Sequence, residues 1–240
     1  MRHLLPSLVV ILLVSCQTKL ANDSVGFDTY QLYDYYCDEL GNEGIVAWKY
    51  RYDDGPEFVV VISGDETDCI WGPEDRNIIP FNNHANVRFL NNPIYAIQMN
   101  QAVERLGAAS YPAFQWCHAK NAPGERIHAS SWILPSQIIM EYILQENYRS
   151  IDKALTQYGM TPLSKLDQDY YWTCTEDIEG FFRFADDEYT YAYGFDPVSR
   201  AIPITFNARY PVWKTNWQKG RSYYVRAIKL IHYYYPDTDD

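Results

Sequence analysis

The chain has 240 residues, 47% of them hydrophobic and 16% aromatic, and a formal net charge of −11 at pH 7. Its apolar content is far above that of disordered segments, so a packed globule is expected. The negative balance repels phosphate backbones and no basic patch offsets it, which argues against a nucleic-acid partner.

At the N-terminus, Arg2 precedes an apolar run over residues 4–14 that closes on Leu13-Val14-Ser15-Cys16. The run is shorter than the roughly 20 residues that span a bilayer, and it has the layout of a cleavable export signal. The Leu-Val-Ser-Cys word resembles the lipobox of bacterial lipoproteins. That likeness implies a signal peptide over 1–15, a lipidated Cys16 as first residue of the mature chain, membrane attachment through the lipid, and a place at the outer membrane or cell surface. Removing residues 1–15 takes away Arg2 and no acidic residue, so the charge moves from −11 to −12. Residues 16–32 then read as lipidated cysteine and tether, 33–235 as a single domain with no Pro/Gly/Ser-rich linker or fixed-period repeat, and 236–240 as an acidic tail.

Along the domain, residues 44–50 and 58–63 are β-rich runs either side of Asp53-Asp54-Gly55-Pro56, a hairpin signal. Residues 93–106 carry Ile94, Ile97, Val103 and Leu106 at helical spacing, and Gly107 ends that helix. A second helical region starts at Ser136, an N-cap after Pro135, with Ile138, Ile139, Tyr142 and Ile143 on one face. It is expected to break near Asn147 and to resume from Ser150 through Ile151, Ala154, Leu155 and Tyr158 to Gly159. The remaining strands are expected at 170–175, 189–195 and 223–232. Strands, then two helical regions, then strands indicate an α+β domain of mainly antiparallel strands whose terminal strands lie close together.

Five words stand in order: Tyr111-Pro112-Ala113-Phe114-Gln115-Trp116-Cys117, Trp132-Ile133-Leu134-Pro135-Ser136, Gly159-Met160-Thr161-Pro162-Leu163, Tyr171-Trp172-Thr173-Cys174-Thr175-Glu176 and Tyr224-Val225-Arg226-Ala227-Ile228. With Asp34-Tyr35-Tyr36, Gly44-Ile45-Val46-Ala47, Asp65-Glu66 and Trp71-Gly72 before them, they resemble the DUF1566 (Lcl C-terminal-like) domain of Bacteroidota surface lipoproteins over residues 33–232. The resemblance implies a C-type-lectin-like fold, related to formylglycine-generating and sulfatase-modifying domains, on proteins that adhere to glycans or other surfaces. Trp132, Leu134 and Trp172 read as core, and Arg226 as one half of a structural ion pair.

Catalytic chemistry has little to work with. His84, His118, His128 and His232 have no supporting partner at a diagnostic spacing, and there is no His-Glu-x-x-His helix, nucleophile elbow or phosphate-cradling glycine loop. Asp65-Glu66 and Asp186-Asp187-Glu188 are the carboxylate pairs that glycoside hydrolysis would need, yet sequence cannot set their separation. Formylglycine-generating enzymes use two cysteines in their C-terminal part, whereas here only Cys174 lies beyond Cys117. Calcium-binding lectin words are absent, so no metal and no cofactor are expected. Four cysteines besides Cys16 permit two disulfides in an oxidising compartment. Among three possible pairings, the two halves of the resemblance favour Cys37–Cys69 and Cys117–Cys174; buried free thiols are the alternative.

Lectin-like folds place recognition in loops between their central and closing strands, here residues 177–220. Tyr189, Tyr210, Trp213 and Trp217 lie there with Arg209 nearby, and such aromatics stack on sugar C–H surfaces while still hydrogen-bonding. These five are the expected ligand-binding residues, for a surface glycan or a protein ligand. The expected function is thus a non-catalytic, adhesin-like binding module, with a structural subunit of a surface filament or envelope complex, and then an enzyme of the formylglycine-generating kind, as alternatives.

Overall fold

The computed structural model describes residues 27–51, 57–73, 78, 93–163, 171–176, 191–195, 217–218 and 222–234. Its described strands are β1 (Tyr35–Cys37), β2 (Glu43–Arg51), β3 (Glu57–Ser63), β4 (Thr67–Ile70), β5 (Trp132–Ile133), β6 (Tyr171–Glu176), β7 (Tyr191–Phe195), β8 (Trp217–Gln218), β9 (Ser222–Val225) and β10 (Ile228–Tyr234). Among the described residues three α-helices accompany them: α1 (Pro93–Leu106), α2 (Pro112–His118) and α3 (Gln137–Gln157). The strands form two five-stranded sheets, in the orders β1-β2-β3-β10-β5 and β4-β9-β6-β7-β8. Among the described strands only β6 and β9 run parallel, through the single pair Tyr171 and Tyr224. An α+β domain with mainly antiparallel sheets is the observed architecture, and the closing strand β10 shares a sheet with the opening strands β1 to β3.

The expected hairpin is β2 with β3, in antiparallel register from Gly44 opposite Ser63 to Arg51 opposite Glu57. The run Phe58-Val59-Val60-Val61-Ile62 is buried on both faces of the sheet, at 2% exposure or less, which is why it reads as continuous rather than alternating hydrophobicity. Helix α1 spans the expected residues and stops at Gly107, whose φ of 93° is a conformation L side chains rarely adopt.

Two expectations are corrected. Helix α3 does not break near Asn147 but continues from Gln137 to Gln157. Asn147 is held by the Tyr33 hydroxyl, which donates to its Oδ1 at 2.9 Å, so its side chain is engaged away from the helix backbone it would otherwise disturb. The helix is also well closed at both ends. Ser136 accepts from Ile139 N at its start, and at its end Gly159 N reaches Thr156 O while Met160 N reaches Leu155 O, the paired bonds of a Schellman motif around Gly159 at φ 74°.

The second correction concerns 223–232, expected as one strand. It is two, β9 and β10, lying in different sheets and separated by Arg226 and Ala227. Opposite them the chain makes the same passage from β3 to β4. Ile62 pairs with Ile228 and Thr67 with Val225, so residues 63–66 face only residues 226–227. That mismatch in length breaks the ladder and turns both chains from one sheet into the other. Ser63 N donates to Ala227 O at 2.9 Å and Ala227 N to Ser63 Oγ at 3.2 Å, closing the corner.

Candidate functional site

Arg226 sits at this corner with none of its surface exposed. Its Nε donates to Glu66 Oε2 at 3.0 Å, Nη1 to Ser63 O at 2.9 Å, and Nη2 to Glu66 Oε2 and, at 3.1 Å each, to Thr161 O and Pro162 O. The Tyr171 hydroxyl donates to the same Glu66 oxygen at 2.5 Å. A guanidinium so surrounded joins β9, the β3–β4 passage and the segment after α3. The structural ion pair expected of Arg226 is present. Glu66 is thereby committed, and its neighbour Asp65 pairs with Lys120 at 2.7 Å, so this carboxylate pair is engaged in two separate joints.

A second joint surrounds Asp38, which accepts from Trp132 Nε1 at 2.7 Å, from Leu40 N at 3.0 Å and from Asn42 N at 2.9 Å, with Lys229 Nζ 3.6 Å away. Burial alone would raise its carboxyl pKa. The donors Trp132 and Asn42 and the Lys229 charge outweigh it, and the group is held below its ordinary value. The expected core tryptophans each bring a satisfied indole: Trp132 to Asp38, and Trp172, whose Nε1 donates to Cys69 O at 3.0 Å; both are fully buried, as is Leu134.

His118, at the end of α2, is partly buried. Its Nε2 lies 3.0 Å from Asn100 Oδ1, an oxygen that also accepts from Leu134 N at 3.0 Å, while Asn100 Nδ2 donates to Ala96 O and Leu134 O. The amide's own donors are used, so its oxygen accepts and the neutral ring carries its proton on Nε2. Burial lowers the His118 pKa to about 4. His128 forms a surface pair with Glu125 at 2.6 Å. Among the described residues no three His, Cys, Asp or Glu side chains gather in a way that would hold a metal ion.

Cys69, Cys117 and Cys174 are free thiols, so neither expected pairing, Cys37–Cys69 or Cys117–Cys174, is formed. Cys37 lies on β1 in one sheet and Cys69 on β4 in the other. Cys117 on α2 and Cys174 on β6 are both fully buried, and burial drives the Cys117 thiol well above its ordinary pKa. Desolvation, aided by Asp68, pushes Cys69 up to about 11.

Of the expected ligand-binding residues, Tyr189, Arg209, Tyr210 and Trp213 lie outside the described residues, as does Cys16. So do Asp186, Asp187 and Glu188, together with His84. The backbone of Trp217 is described, on β8, where it pairs with Ala192 of β7.

The described residues also carry an aromatic surface outside 177–220. Tyr142 was expected on the apolar face of α3 but is 43% exposed. Its ring stacks on Trp48 of β2, with centroids 5.2 Å apart and planes within 3°. Trp48 in turn lies over Phe58 at 6.4 Å and beside Tyr50 at 5.5 Å. The stack therefore runs from the buried Phe58 through the half-buried Trp48 to Tyr142 in solvent. Its sequence signal was the pairing of Trp48 with Tyr50 two residues on, which places both on one face of a strand.

Comparison with protein-family models, with curated proteins and with solved structures returns no match.

Proposed function

We propose that this chain is an exported, lipid-anchored surface protein whose domain binds a glycan or another surface ligand and performs no catalysis. The observation that carries the reading is the Leu13-Val14-Ser15-Cys16 word, set ten residues, 17–26, ahead of the first described element at Phe27. A lipid on Cys16 would hold the domain at a membrane through a short tether, since acyl chains contribute on the order of 0.8 kcal/mol per buried methylene. The polar groups of the interior support the binding half of the reading. Glu66, Arg226, Asp38 and His118 are each spent on joining elements, which is work a scaffold requires. The finer view of the architecture as C-type-lectin-like rests on the ordered words of the sequence and is supported by the sharing of one sheet between β10 and the opening strands.

Two measurements test this. Cys16→Ser should leave the domain folded and move it from the membrane fraction to the soluble one; a variant that still sediments with membranes defeats the anchor. Glycan-array binding by the purified chain should reveal at least one retained glycan, and retention should survive calcium chelation. A chain that turns over an array glycan instead of retaining it would defeat the non-catalytic assignment.

A further inference from the structure

We infer that the Trp48–Tyr142 stack is a second point of membrane contact, seating the outer end of β2 on the lipid surface to which Cys16 is tethered. The inference rests on the lipid-anchored reading and adds to it an orientation of the domain.

The place where the described chain begins points to this end of the molecule. Phe27 is clamped there: Lys49 Nζ lies 4.4 Å and the Arg51 guanidinium 4.3 Å from its ring centroid, and Lys49 also donates to Tyr30 O. Only residues 17–26 separate that clamp from Cys16. Ten residues reach at most about 35 Å even when fully extended. The clamp therefore brings the end of β2 within reach of the membrane to which Cys16 is tethered. Side chains alternate along a strand, so Lys49 and Arg51 project to the Phe27 side while Trp48 and Tyr50 project to the α3 side of the same stretch. Moreover β1 pairs only with residues 43–45 of β2, so among the described strands residues 48–51 run on as a sheet edge.

The chemistry of the stack fits an interface between lipid and water. Tryptophan and tyrosine favour that boundary because each presents an apolar ring and one polar atom. The outward gradation from Phe58, 2% exposed, to Tyr142, 43% exposed, makes a rigid column of rings with a tyrosine at its tip. Arg51 at the same edge is paired with Glu57 at 2.5 Å and lies 3.7 Å from Asp28, so its charge is balanced there and the contact rests on the rings.

The test uses the full lipidated chain, reconstituted into phosphatidylethanolamine and phosphatidylglycerol vesicles whose acyl chains carry bromine, a short-range quencher of tryptophan emission. Wild-type emission should fall in brominated vesicles relative to unbrominated ones. Trp48→Phe should lose the larger part of that fall. Tyr142→Glu, a surface change on α3 compatible with folding, should lose it as well while the protein stays vesicle-bound. A bound wild type with no quenching overturns the inference and leaves the anchor standing. So does quenching that both variants retain. If the wild type does not stay on vesicles, the anchor and the inference fall together. If Tyr142→Glu keeps the quenching and instead abolishes capture of an array glycan, the stack is a sugar site, and the membrane assignment is overturned.

Discussion

Arg226 and Tyr142 are both residue types enriched at recognition surfaces, yet Arg226 has 0% of its surface exposed and Tyr142 has 43%. Around Arg226 the guanidinium donates to the chain itself: to one carboxylate and three backbone carbonyls, drawn from the β3–β4 passage and the segment after α3. Around Tyr142 the rings lean on one another and leave the last one in solvent. The difference shows how the fold divides its polar and aromatic residues. Charges taken inside are used to turn two strands from one sheet to the other, and aromatic surface beyond what the core needs is brought out at one corner.

The sharpest way to break that division is to remove the interior charge. Arg226→Met leaves the Glu66 carboxylate, only 7% exposed as a side chain, without its partner. Losing one half of a buried pair costs about 3–5 kcal/mol. Urea unfolding should show a loss of that size, in a single transition if residues 33–235 are one cooperative unit. A loss below about 1 kcal/mol would mean that the corner is held by its backbone bonds alone.

Next in size is the acid response of His118. Its folded pKa is lowered to about 4 from an ordinary 6.5, so between those values the unfolded chain binds more protons than the folded one. Stability from this group is complete above about 6.5 and is lost as pH falls toward about 4, by up to about 3 kcal/mol since each unit is worth about 1.4 kcal/mol. His118→Gln keeps a donor for Asn100 Oδ1 and removes the titration. Unfolding free energies measured at neutral pH and near pH 4.5 should fall less in this variant than in wild type. An equal fall in both would assign acid sensitivity to the carboxylates, Asp38 first among them.

Much of the frame was legible in the sequence because local signals acted alone. The β2–β3 hairpin, helix α1 and the Ser136 cap depend on turn residues, spacing and one hydroxyl. Where the reading differed, a distant partner decided the outcome. The helix continues through Asn147 because Tyr33, 114 residues away, holds its side chain. The last strand divides because Arg226 meets Glu66, 160 residues away. Tyr142 fits the apolar periodicity of α3, and only the arrival of Trp48 from β2 shows that its ring extends the core outward rather than filling it. The thiols had no local signal at all, since two cysteines in one half of a chain need not come within bonding reach.

The smallest effect belongs to the exposed ring and is the most discriminating of the three. Tyr142→Ala removes a side chain that is nearly half in solvent and one offset stack, worth about 0.5–1.5 kcal/mol beyond area burial. Its cost to folding should therefore be about 1 kcal/mol. Trp172→Ala, by contrast, deletes a ring with 0% exposure and the indole bond to Cys69 O, and should cost about 3–5 kcal/mol. Chemical denaturation of the two variants side by side measures the gap. If Tyr142→Ala is as damaging as Trp172→Ala, the stack is part of the core and the aromatic corner is not a surface at all. If the gap is present, the ring is retained at little benefit to stability, as expected of a side chain whose use lies outside the fold.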